Sequence, residues 1–288
     1  MRSLIALGLI VGAAAAVALI LPRCADESYF QAEAGPGDSY VPADAPEVTD
    51  IYVNPCAPKP PPAVTGVVYA PNGIDPVAGA SVHVAVGLMP LPQTVQCETC
   101  AVKGKFSAHV YTKADGSFRL EGVPNAVPFK LGIQKGHFRR FLDLTVPECG
   151  TLDLPKDKTT LPGQNKQFGP YDSIPNIAVV SGIWDKMEKV LDKLGVPPSE
   201  VTIYNGRTVD SGSTGMQHLI QNAALMKSFH IILIDCGTYK QYEALVADEG
   251  PARYAIREYV RAGGRLFVTD LSYDYVEQVF PEYIDFEG

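Results

Sequence analysis

Short runs in which apolar and polar residues alternate fill the first half of the folded chain, and longer apolar runs separated by helix-period segments fill the second. Val64, Gly66 and Val68 alternate with Thr65, Val67 and Tyr69 before Pro71-Asn72-Gly73 breaks the run. Similar runs lie at 81–86, 107–112, 117–120, 129–134 and 138–146, separated by turn pairs such as Asp115-Gly116, Val123-Pro124 and Lys135-Gly136. Strands this short at this spacing predict an antiparallel β-sandwich over residues 63–152. Asp115-Gly116 supplies the dihedrals of a tight hairpin, and a lone Asp is a poor calcium cage.

The pattern changes at residue 174. Apolar strands are predicted at 177–180, ending in Ser181-Gly182, at 201–204, ending in Asn205-Gly206, at 230–235, and at 265–269. Between them, Trp184, Met187, Val190, Leu191 and Leu194 fall on one helical face, and segments 214–228 and 251–261 also read as helices. Strands alternating with helices predict an open, doubly wound parallel sheet over 174–288, whose ligands bind beyond the carboxyl ends of the strands. That edge gathers Ser181, Gly182, Asn205, Gly206, Asp235, Cys236, Gly237, Thr269 and Asp270 as the candidate ligand-binding cluster. Four strands are fewer than such sheets usually hold, so the domain reads as either C-terminally incomplete or cut down. The fold class expected is therefore multidomain, a β-sandwich followed by an α/β sheet, with an N-terminal transmembrane or signal helix.

That N-terminal helix follows from residues 3–22, which carry no charge and at about 1.5 Å per residue reach across a hydrocarbon core of about 30 Å. Arg2 ahead of the run places the remainder outside, periplasmic or extracellular. An uncleaved membrane anchor, a cleaved signal peptide and a lipid on Cys24 are the three readings of residues 1–24. Residues 25–62 hold seven acids against Lys59 alone and are rich in proline, which predicts an extended spacer. Residues 153–173 read as a second linker. The formal charge of the whole chain is −8, which argues against a nucleic-acid partner. No cofactor motif and no metal site is predicted.

Export makes oxidised cysteines the default, and Cys56, Cys97, Cys100 and Cys149 lie in or beside the predicted sandwich. Of the three possible connectivities, Cys97–Cys100 with Cys56–Cys149 is preferred, because the second bridge pins both ends of the domain. A redox dithiol and half a zinc site are the sharper readings of the pair at 97 and 100. The surrounding Pro and Gly oppose the first, and the lack of a second close pair opposes the other. His83, His109 and His137 have no second histidine at metal spacing and are expected to be packing or surface residues.

The stretch VTGVVYAPNGIDPVAGASVHV, followed by TKADGSFRLEGVP and FKLGIQKGHFRR, resembles the carboxypeptidase regulatory-like domain, a transthyretin-like β-sandwich. This resemblance implies an accessory module without chemistry of its own. IAVVSG, HIILIDCGT and YAIREYVRAGGRLFVTD resemble the class I glutamine amidotransferase-like, flavodoxin-like group, and the whole arrangement resembles exported bacterial envelope proteins of unassigned function. An enzymatic member of that group would use Cys236 as a nucleophile held at a strand-to-helix turn. The chain departs from that pattern, since Ile234 and Thr238 replace the small residues around the nucleophile and all five histidines precede Cys236. Expected, then, is a non-catalytic, membrane-tethered binding or scaffolding protein with an envelope protein or glycan as partner. Its alternatives are a Cys236-dependent hydrolase or amidotransferase and a carbohydrate-binding surface protein. The tail aromatics Tyr273, Tyr275, Phe280, Tyr283 and Phe286 are expected to pack a terminal helix onto the sheet.

Overall fold

The computed structural model describes residues 56–96, 106–210, 212–238, 244–247 and 250–284. The predicted anchor at 3–22, Cys24, most of the acidic spacer, the pair Cys97 and Cys100, and Phe286 lie outside them. Among the described residues no helix is long and apolar enough to cross a membrane.

The architecture combines a mixed and an antiparallel sheet in the first half with a parallel one in the second. In the first half β1 (Ala63–Val67) pairs antiparallel with β4 (Ser117–Glu121) and parallel with β7 (Thr151–Asp153). Facing it is a four-stranded antiparallel sheet in the order β3 (Phe106–Tyr111), β2 (Ser81–Ala85), β5 (Phe129–Lys135), β6 (Phe138–Leu144). Period-two alternation turns Val64, Phe118 and Leu120 of one sheet and Val82, Val84, Leu131 and Ile133 of the other into one buried cluster. At the β3–β4 hairpin the Asp115 carboxylate accepts the Ser117 N–H at 2.9 Å, and Gly116 holds φ +75. A side chain there would crowd the Val68 carbonyl, so the turn requires glycine at this position. Cys56 and Cys149 are joined by a disulfide that ties the entry of β1 to the approach to β7.

The segment expected to be a linker after β7 is packed instead. Leu154 and Leu161 enter the sandwich core, and helix α1 (Lys156–Thr159) buries Thr159. Arg140, almost fully buried on β6, donates to the carbonyls of Asp157 and Thr160 at 2.7 and 2.8 Å and lies 3.7 Å from the centre of the Phe168 ring. These charge-assisted and stacking contacts hold the segment down in a way that its local sequence pattern does not announce.

In the second half four parallel strands stand in the order β11 (Arg265–Val268), β10 (Ile231–Ile234), β8 (Ile177–Ser181), β9 (Val201–Asn205). Both faces are covered, which is why these strands read as continuous apolar runs. Ala178, Val180, Ile232 and Ile234 pack under α3 (Met216–Ile220), α4 (Ala223–Met226), α5 (Ala244–Ala247) and α6 (Pro251–Arg261). Ile177, Val179 and Leu233 face the other way, against Met187 and Leu191 of α2 (Met187–Lys193), Val196, and Phe138 of the sandwich.

Helix α6 follows its signals closely. Pro251 opens it, Ala252, Ala255, Ile256 and Tyr259 form its buried stripe, and Gly263 and Gly264 donate to the carbonyls of Val260 and Tyr259, the paired bonds of a Schellman stop. Other helices differ from expectation. The helix expected at 214–228 is broken between α3 and α4, where Asn222 caps the second piece by accepting the Leu225 N–H. Helix α2 starts only at Met187, so Trp184 lies outside it and 72% exposed. Tyr275 is fully buried and Phe280 packs against the core as expected, whereas Tyr273 and Tyr283 are exposed.

The two halves share a joint. Asn72 donates its backbone N–H and its amide to the carbonyls of Leu194 and Lys193, and Val95 donates to Lys227 and joins the core of the parallel-sheet half. His137, beside the β5–β6 turn, stacks on His230 at the foot of β10 with ring centroids 3.7 Å apart, both rings buried.

Candidate functional site at the strand ends

The sheet order determines where a site could lie. Strands β8 and β10 are neighbours, yet the helix after β8 covers one face and the helices after β10 cover the other. Their carboxyl ends therefore flank the reversal point at which such sheets open a crevice. Ser181, Gly182, Asp235, Cys236 and Gly237 come together there, with Thr269 and Asp270 after β11 and Asn205 and Gly206 at the end of β9.

The crevice is closed by the chain's own backbone. Ile183 donates to the Gly237 carbonyl at 3.2 Å, Trp184 to the Cys236 carbonyl at 3.2 Å, and Gly206 to the Ser181 carbonyl at 3.2 Å. Gly182 lies so close to the Cys236 carbonyl that any side chain would collide with it. Arg207 adds a bond from Nε to the Gly182 carbonyl at 2.7 Å, and the Ser181 hydroxyl donates to the Tyr204 carbonyl. The backbone N–H groups of Ile183, Trp184 and Gly206, which could have met a ligand, are consumed by the neighbouring loops.

The two acidic side chains do not converge. Asp235 is completely buried and receives the Met187 N–H at 3.4 Å on each carboxylate oxygen, which places it at the N-terminus of α2. Burial, aided by Glu188 and Asp185 and opposed by the Met187 and Gly182 N–H groups, pushes its pKa up to about 6. Asp270 is exposed at φ +39 and faces the Cys236 thiol, 3.6 Å away. Among the described residues no group of three metal-ligating side chains forms. Asn205 is occupied locally, donating to Thr208 and accepting from Arg207, and Thr269 bonds back to the Ile234 carbonyl.

Cys236 is a free thiol, 2% exposed. Burial raises its pKa above the ordinary thiol value, with Asp270 and Asp185 adding to the effect against the Leu271 N–H, so the thiolate that nucleophilic catalysis needs is disfavoured. His230, at the foot of the strand that leads to Cys236, sits at the opposite end, about 20 Å away at 3.3 Å per residue. Two further contacts were not readable in the sequence: Ser272 donates to the Asp235 carbonyl at 2.8 Å, and Thr238 and Tyr275 share a hydroxyl–hydroxyl bond at 2.9 Å. Both depend on where the chain turns after β11.

No family model matches the chain. No curated protein matches it either. Two solved structures share a weak likeness. Both are type II cohesin-X-dockerin complexes from Acetivibrio cellulolyticus, one an N-terminal and the other a C-terminal interface mutant. The first has 12% identity over 48% of this chain and 87% of that one, with a TM-score of 0.26. The second has 13% identity over 46% and 83%, with a TM-score of 0.25. At such scores neither informs the fold or the function.

A second concavity lies away from the strand ends. Gln217 and His218 of α3, Gln221 and Asn222 after it, and Pro251 and Tyr254 of α6 border a groove of about 430 Å³. The sequence signal for it was present in the Gln217/Gln221 spacing of one helical turn. Its significance depended on a facing helix 30 or more residues away.

Proposed function

We propose that the protein is a non-catalytic binding or scaffolding component of the bacterial cell envelope, exported and held at the membrane through residues 3–22. On this reading a carboxypeptidase regulatory-like sandwich and an amidotransferase-like domain that lacks catalytic machinery are presented together beyond an acidic spacer. The observation that carries the reading is the closed strand-end crevice. Its thiol is buried, and the Ile183, Trp184 and Gly206 N–H groups are spent on neighbouring loop carbonyls, which supports a site without an accessible nucleophile. The joint between the halves supports the same reading, because a pre-ordered pair of domains loses less freedom on binding than two loosely linked ones.

The test is a Cys236→Ser exchange in the native host, with the protein purified together with its envelope partners. An unchanged partner set and unchanged growth are expected. Loss of a phenotype or an activity while thermal unfolding stays the same would assign a catalytic role to Cys236 and overturn the proposal. Intact-mass measurement of the same material distinguishes anchor from cleaved signal, since a retained anchor keeps residues 1–24.

A further inference from the structure

The groove between α3 and α6 has a lining chemistry that selects a ligand class, and we propose that it binds a neutral saccharide. It contains no carboxylate, lysine or arginine, and apart from the His218 imidazole it offers nothing to offset a phosphate or carboxylate ligand. What it offers instead is side-chain amides. Gln217 Nε2 donates to Gln221 Oε1 at 3.3 Å, which orders the pair, and Asn222 Oδ1 is taken by the Leu225 N–H. Gln217 Oε1, Gln221 Nε2 and Asn222 Nδ2 have no protein partner among the described residues. One acceptor and two amide donors suit hydroxyl groups, each of which both donates and accepts.

Tyr254, 65% exposed, stands on the opposite wall. An aromatic face carries negative potential and attracts polarised C–H groups, which the apolar face of a pyranose ring presents. The volume falls toward the lower end of the roughly 300–1,000 Å³ usual for small-molecule sites, so a mono- or disaccharide fits better than a long chain. A nucleobase is the nearest rival. Such a base is held between two flat or apolar faces, whereas Tyr254 supplies a single aromatic one.

The experiment is calorimetric titration and saturation-transfer NMR of the detergent-solubilised full chain. The ligand panel is glucose, galactose, N-acetylglucosamine, maltose and cellobiose, with adenosine and uridine as the rival class. At least one sugar is expected to bind with Kd between about 0.1 and 10 mM, and Tyr254→Ala and Gln217→Ala are each expected to weaken it roughly tenfold. Trp184→Ala, an exposed change elsewhere, should leave the affinity unaltered, and circular dichroism and thermal unfolding verify that every variant is folded. Absence of sugar binding below about 10 mM, binding indifferent to Tyr254→Ala, or binding of nucleosides alone would each overturn the proposal. Any of these outcomes leaves the envelope-binding reading standing, because that reading depends on the Cys236 experiment and not on the groove.

Discussion

Replacing Asp235 by asparagine tests whether the buried carboxylate at the tip of β10 is a structural cap. Its pKa of about 6 lies above the ordinary carboxylate value of 3.8, so the folded state holds this proton more tightly than the unfolded chain does. The stability it contributes is therefore complete below about pH 3.8 and is lost as the pH rises through about 6. A shift of about two units corresponds to roughly 3 kcal/mol, the upper limit of what the ionised carboxylate costs the fold at neutral pH. An asparagine side chain at this position would keep an oxygen to accept the Met187 N–H but could not ionise. D235N and the parent are expected to be equally stable near pH 3.5, with the variant pulling ahead between about pH 4 and 6 and leading by up to about 3 kcal/mol at pH 7. Urea unfolding followed by circular dichroism across this range measures the difference. Buried His83 and His137 also titrate in this window, but they are present in both proteins and cancel. A flat difference curve, or a variant weaker than the parent at pH 7 by more than about 1 kcal/mol, would refute the reasoning, since the charge would then be stabilising.

The histidine joint has the opposite sign. Burial, with Arg265 and Arg139 nearby, lowers the pKa of His137 to about 4, so its neutral-state stability is complete above about 6.5 and falls by up to about 3 kcal/mol as the pH drops through about 4; His137→Phe should flatten that part of the urea-midpoint profile. Replacing Cys56 and Cys149 by alanine opens a loop spanning 93 positions, for which chain entropy gives up to about 4.7 kcal/mol; a loss below about 1 kcal/mol in guanidinium unfolding would show that the bridge constrains little. Gly182→Ala drives a methyl into the Cys236 carbonyl and should cost about 2 kcal/mol or more. It should also make Cys236 react with N-ethylmaleimide in the folded protein, where the parent reacts only on unfolding.

Several elements were legible because their signals are local. Helix α6 begins at Pro251 and stops at the glycine pair because a missing N–H and a positive dihedral act on their own residues. The central strands announced themselves by apolar runs that only a sheet covered on both faces produces. Trp184 was misplaced for the converse reason. Its spacing matches the α2 face, but the N–H groups of Ile183 and Trp184 are held by the Gly237 and Cys236 carbonyls, a pairing more than 50 residues apart that delays the helix to Met187. The packed segment after β7 was hidden in the same way, since Arg140 decides its course from another strand.

At the candidate site the division is similar. Periodicity and turn residues alone determined which side chains stand at the strand ends, because a strand's direction and length carry its last residues to one edge. That His83, His109, His137, His218 and His230 all precede Cys236 was equally plain. Only the tertiary structure decided that the edge is closed, that Asp235 faces the start of α2 and not Asp270, and that an amide-lined groove opens on the far helices. Those outcomes depend on strand order and loop-to-loop bonds between residues distant in the chain, and no local pattern encodes which backbone donor will find which carbonyl.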